Sequence, residues 1–129
     1  MKQTLFTLST AVLLWSCAAK DEKKDVLYPE SASTEKKSPE EFGKELFEST
    51  GNCFACHQPD QKIIGPSIEQ IARIYKDQNG DMVSFLKGNE KPLVDPDQFS
   101  VMQTNFAITK KMSDEELKAL EAYIYSHLK

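Results

Sequence analysis

The run Cys53-Phe54-Ala55-Cys56-His57 constrains this 129-residue chain more than any other stretch. Two thiols one turn apart can each add to one vinyl group on the same edge of a porphyrin, and the residue directly after the second thiol brings its imidazole beneath the iron. The spacing therefore points to one covalent haem c, attached through Cys53 and Cys56, with His57 as an axial ligand. Other uses of the same residues fit less well. A redox dithiol of the thioredoxin kind wants a preceding strand, and no alternating pattern stands before Cys53. A zinc site needs a fourth ligand, and the only other histidine is the distant His127. A plain disulfide would leave the histidine without a purpose.

Size and charge narrow the setting. With 16 basic and 20 acidic side chains and no dense Lys/Arg block, the chain has no electrostatic footprint for nucleic acid, whose phosphates must be neutralised by clustered cations. The length holds one domain with some chain to spare. Three cysteines are too few for a disulfide scaffold, so Cys17 needs a separate explanation.

The N-terminal segment supplies that explanation. Lys2 is followed by an apolar run from Leu5 to Leu14, too short for the roughly 20 residues that cross a hydrocarbon core. Residues 1–16 read as a signal peptide. The run ends in Leu14-Trp15-Ser16-Cys17, which resembles the lipobox of bacterial lipoproteins; that resemblance implies a lipidated Cys17 and cleavage just before it. A signal peptide without lipid, cut at a nearby small residue, and an uncleaved tail are the alternatives. Acyl chains contribute about 0.8 kcal/mol per buried methylene, so two or more of them give stable anchoring. Residues 18–38 carry five acids, five bases and a proline, with little apolar surface to offset the entropy of ordering. They read, with Cys17, as a lipidated flexible linker over 17–38.

Order begins at Ser38-Pro39-Glu40-Glu41, where Ser stands at an N-cap, Pro at the first helical position and Glu at the third. Phe42, Leu46 and Phe47 fall on one stripe of the helix that follows, and Gly43 lies among them where a side chain would hold a neighbouring helix away. A second capping box, Ser113-Asp114-Glu115-Glu116, precedes Leu117, Leu120, Tyr123, Ile124 and Leu128 at helical spacing. Between them the pattern predicts a helix over 67–76, with Ile68, Ile71, Ala72 and Tyr75 on one face, an Asn79-Gly80 stop and a shorter helix over 81–86. Residues 88–98, with Pro92 and Pro96, read as loop, and 100–106 as non-periodic chain. The domain is expected to span 39–129 and to be all-α.

From residue 38 to 129 the sequence resembles a class I cytochrome c domain. The shared features are a helix with Gly and Phe leading into C-x-x-C-H, Gly65-Pro66 shortly after it, a methionine well downstream, and a last helix ending in Tyr-Ile-x-x-x-Leu. The resemblance implies the cytochrome c-like fold, short helices wrapped around one haem. It implies that Gly43 lets the first helix cross the last closely, with Phe47 and Tyr123 at the crossing. It also implies that the carbonyl of Pro66 accepts the second N–H of His57.

The sixth iron position decides between carrying electrons and binding small molecules. Met1 leaves with the signal, Met82 reads as core, and Met112 stands where a hydrophobic staple to Leu117 accounts for it. Met102, 45 residues after His57, has no such local role, and the resembled family places its ligand there. Met102 is therefore the expected ligand and Met112 the second choice. His127 is expected as a solvated histidine in the last turn of the final helix. With His57 and Met102 on the metal, the reading is a monomeric, membrane-tethered one-electron carrier between respiratory donor and acceptor proteins, on the periplasmic side of a bacterial membrane, with no substrate chemistry of its own. The alternative is a haem-based sensor or small peroxidase-like protein with an open distal site, for which Gln103 or Asn105 would supply a polar group.

Overall fold

The computed structural model describes residues 36–129; the expected signal peptide and Cys17 lie outside the described residues, as does all but the end of the linker. Both capping boxes close. The Ser38 hydroxyl accepts from the Glu41 N–H at 3.2 Å while the Glu41 carboxylate accepts from the Ser38 N–H at 3.0 Å, and helix α1 follows as Pro39–Glu48. Ser113 and Glu116 repeat the exchange at 3.2 and 2.7 Å to start the last helix, α6, at Asp114–Tyr125. Each box satisfies backbone donors that the first helical turn leaves without partners.

Between these come α2 (Ile68–Asp77), capped by Ser67, and α3 (Met82–Leu86), capped by Asp81. Asn79 separates them in the left-handed region, φ 51°. Two short helices follow, α4 (Phe99–Gln103) and α5 (Phe106–Thr109). They occupy the stretch expected to be irregular. Helices of five and four residues are too short to show a periodicity, and their support is tertiary: Phe85 of α3 meets Phe99 at 6.1 Å and Phe106 at 5.5 Å between ring centroids. The buried Thr109 hydroxyl donates to the Leu86 carbonyl at 2.7 Å, tying α5 to the end of α3. Among the described residues the regular structure is helical apart from an isolated bridge between His57 and Lys62, in agreement with the all-α expectation.

The core is organised by α1 against α6. A Cβ built on Gly43 would stand 1.9 Å from the Ala119 carbonyl oxygen and 2.8 Å from Tyr123 Cβ, so only glycine permits this approach. Phe47 and Tyr123 pack beside it, ring centroids 5.2 Å apart at 60°, an arrangement aromatic pairs favour. Leu46, Leu117, Leu120 and Ile124 are buried around the crossing, and each such side chain contributes about 1.5–3 kcal/mol by leaving water. Ile68, Ala72 and Tyr75 of α2 close the cluster from the side.

His127 differs from its expectation. It lies in the turn just past Ser126, the C-cap of α6, is half-buried, and meets the Tyr123 ring edge-on at 4.9 Å. Burial lowers its pKa, with Lys129 adding to the effect, so it packs as a neutral ring. No helix among the described residues is long and apolar enough to cross a membrane.

Candidate functional site

The pentapeptide opens where α1 stops. Gly51 donates its N–H to the Leu46 carbonyl at 2.7 Å, and Asn52, at φ 50°, turns the chain into a single 3-10 turn, Cys53–Ala55. The N–H groups of Cys56 and His57 both reach the Cys53 carbonyl, at 3.0 and 2.9 Å. Cys53 and Cys56 are free and half-buried. Burial pushes the Cys53 thiol up to about 11, with Cys56 adding to it, so that sulfur stays protonated near neutrality.

The imidazole is held from behind. His57 Nδ1 lies 2.7 Å from the Pro66 carbonyl oxygen. A carbonyl only accepts, so Nδ1 carries the hydrogen and the lone pair is left on Nε2, the state that ligates a metal. Burial lowers the His57 pKa, opposed by the bond to Pro66, which keeps the ring neutral. Gly65 makes the approach possible: its N–H donates to the Cys56 carbonyl at 2.8 Å, and a Cβ on it would lie 2.5 Å from His57 Cε1. Two more backbone bonds, Ile68 N–H to Gln58 and Glu69 N–H to Pro59, fasten the start of α2 to the same loop.

Cys53, Cys56, His57, Pro66 and Met102 all line one cavity of about 240 Å³. Phe85, Leu86, Leu93, Val94 and Phe99 contribute apolar wall. Met102 stands half-buried on α4, a helix held in place by the Phe85–Phe99 contact. Met82 also touches this cavity, although it is 2% exposed and packed in the core. Met112 is not part of the lining; it packs half-buried on the core cluster that contains Leu117. Gln103 is exposed and outside the lining, while Asn105 lines the cavity and donates its amide to the Gly51 carbonyl at 3.2 Å.

The donor set suits a haem. It offers two thiols at attachment spacing, one neutral imidazole of fixed tautomer and apolar walls. Among the described residues no group of three or more His, Cys, Asp and Glu side chains could hold a bare metal ion. One wall residue the sequence reading left in the core is Tyr75, whose hydroxyl is buried without a hydrogen-bond partner. A tyrosine on the apolar face of α2, where phenylalanine would fill the same space, was the available signal.

Comparison with known proteins agrees with this geometry. The family model described as Cytochrome c matches residues 40–127. Over 40 residues, 31% of this chain, the sequence is 42% identical to cytochrome c-552 of Nitrosomonas europaea, and the match covers 38% of that relative. The chain thus aligns with well under half of the relative's length. Its attachment pentapeptide, its oriented histidine and a family match over most of its length lead to one statement: the chain belongs to the cytochrome c family, electron-transfer proteins that carry covalently bound haem c.

Proposed function

We propose that this protein is a membrane-tethered one-electron carrier in which His57 and Met102 are the axial ligands of the haem iron. The observation that supports this reading is that both side chains line one cavity, the imidazole with its Nε2 lone pair free and the thioether on a helix pinned by aromatic contacts. When bound, the haem supplies a metal that takes up and releases one electron. What the chain contributes is rigidity: the Pro66 carbonyl fixes the imidazole plane, Gly65 lets it stay there, and the apolar wall excludes water. Ligands that stay in place in both oxidation states keep the reorganisation accompanying each transfer small. A thioether favours the ferrous state and so raises the potential relative to two nitrogen ligands.

The domain from 39 to 129 holds 10 basic and 15 acidic side chains, a balance that steers it toward partners with basic docking rims in a salt-dependent way. Partners are a respiratory donor and acceptor, met one at a time by a monomer. Lipid on Cys17 would hold the protein to the periplasmic side of a bacterial membrane, about 25 Å from it if residues 18–38 behave as a random coil. The test is optical. The oxidised protein should show the weak long-wavelength charge-transfer band that marks iron–methionine ligation, and the reduced protein should bind CO slowly or not at all. Absence of the band together with rapid CO binding would overturn the ligand assignment and indicate an open distal site.

A further inference from the structure

We propose that the Tyr75 hydroxyl donates a hydrogen bond to a propionate carboxylate of the haem, and thereby sets the pH at which the reduction potential changes. The proposal rests on haem occupying the cavity, and is independent of which side chain fills the sixth position.

Tyr75 is 3% exposed, its hydroxyl is buried, and that hydroxyl has no partner among the described residues. A buried hydroxyl that gives up water for nothing is rare, and each instance calls for an acceptor. The ring has no freedom to swing out and find one. It packs edge-on against Phe85 at 6.1 Å, and a Cβ on Gly80 would meet Tyr75 Cδ1 at 2.8 Å and Leu93 Cδ1 at 2.5 Å. It also lines the cavity, so the missing acceptor belongs to what the cavity holds.

The groups facing the phenol keep it a donor. Asp81 at the cap of α3, Glu90 in the following loop and Tyr125 of α6 all act on it, and Glu121 in turn acts on Tyr125. Burial, with these neighbours, raises the Tyr75 pKa far above its ordinary value. Asp81 already accepts from the Ser84 N–H at 2.7 Å. A haem brings few acceptors: its nitrogens are taken by iron, a methionine sulfur is a weak acceptor, and the two propionates are strong ones. The macrocycle's own chemistry separates the edges. Its vinyl edge is tied to Cys53 and Cys56, its propionates lie at the other edge, and Tyr75 packs against segment 80–93. A neutral O–H aimed at a carboxylate favours the ionised form and lowers that carboxylate's pKa. Ionisation places a negative charge near the iron and lowers the potential, so the donor positions the step in the potential–pH curve.

The experiment compares the potential of mature holoprotein and its Tyr75→Phe variant across pH, with the propionate-bending modes in the resonance Raman spectrum as a second readout. Loss of the donor should move the step to higher pH by about one unit, a tenfold change in proton affinity, and should shift the propionate mode. An unchanged step with an unchanged mode overturns the proposal. So does a change confined to the iron–methionine band, which would send the hydroxyl to the sulfur instead. Should Tyr75→Phe fail to mature, replacing tyrosine throughout by 3-fluorotyrosine strengthens the donor without altering its shape. The step should then move to lower pH, and its standing still overturns the assignment.

Discussion

The Nδ1 of His57 and the carbonyl oxygen of Pro66 stand 2.7 Å apart, nine residues separated in sequence, and this single bond decides which imidazole nitrogen faces the cavity. The contact is backbone-mediated, so what protects it is the loop that carries Pro66, and Gly65 in particular.

Gly65→Ala should disturb that contact directly. The new Cβ would lie 2.5 Å from His57 Cε1, which the ring can relieve only by tilting. Overpacking of this kind costs about 1–3 kcal/mol. Chemical denaturation of the holoprotein should show that loss together with a visible spectrum of weakened proximal ligation. A variant with wild-type stability and spectrum would mean that the loop yields freely.

Gly43→Ala tests the α1–α6 crossing. With the Ala119 carbonyl oxygen 1.9 Å from the added atom, the helices must part and the Phe47–Tyr123 pair must open. A destabilisation of about 3 kcal/mol, at the upper end of such effects, is expected. Urea unfolding measures it, and the haem absorption bands should change little below the transition.

The methionines separate by position. Met102→Ala should lower the reduction potential and let CO or imidazole reach the iron. Met112→Ala, at a half-buried site outside the cavity, should cost about 1–2 kcal/mol of stability and leave the potential in place. Potentiometry of the two variants side by side decides, and an exchange of the two phenotypes would transfer the ligand role to Met112.

Acid should loosen two exposed ties. Lys62 donates to Asp95 at 2.8 Å and Lys87 to Asp114 at 2.6 Å, and each ammonium holds its carboxyl below the usual range. A depressed carboxylate pKa means that the folded chain binds fewer protons than the unfolded one. The stabilisation is therefore present above the ordinary value near 4 and fades as pH falls through the lower folded value. Exposed pairs contribute little, so the urea midpoint should decline only gently below about pH 4. Lys62→Met with Lys87→Met should flatten that part of the decline.

Cys17→Ser tests the anchor. The variant should leave the membrane fraction and retain its spectrum, and membrane association that persists would exclude lipid on that sulfur.

What the sequence made legible was local. Ser38–Glu41 and Ser113–Glu116 announce their helices because a capping box is built from residues three apart, and the attachment pentapeptide carries its own geometry. Gly43 could be placed at a close approach because a glycine amid apolar helix positions has few other uses. The turns at α4 and α5 were hidden because aromatic partners far along the chain hold them. For the same reason the tie between Lys62 and Asp95, 33 residues apart, had no sequence signature. His127 looked solvated because nothing in its neighbours announces that Tyr123 covers it. Tyr75 was read as core, which it is, but only the three-dimensional surroundings reveal that its oxygen is left wanting.

The crossing of α1 with α6 also governs the order in which such a chain can mature. Its two partners, Pro39–Glu48 and Asp114–Tyr125, bracket everything that lines the cavity apart from what they supply themselves. A nascent polypeptide stopped before Asp114 would own both thiols and the histidine yet have no floor beneath them. Closure must wait for the distant segment to arrive, a search that slows folding. During that wait the pentapeptide stays reachable by whatever machinery performs the stitching.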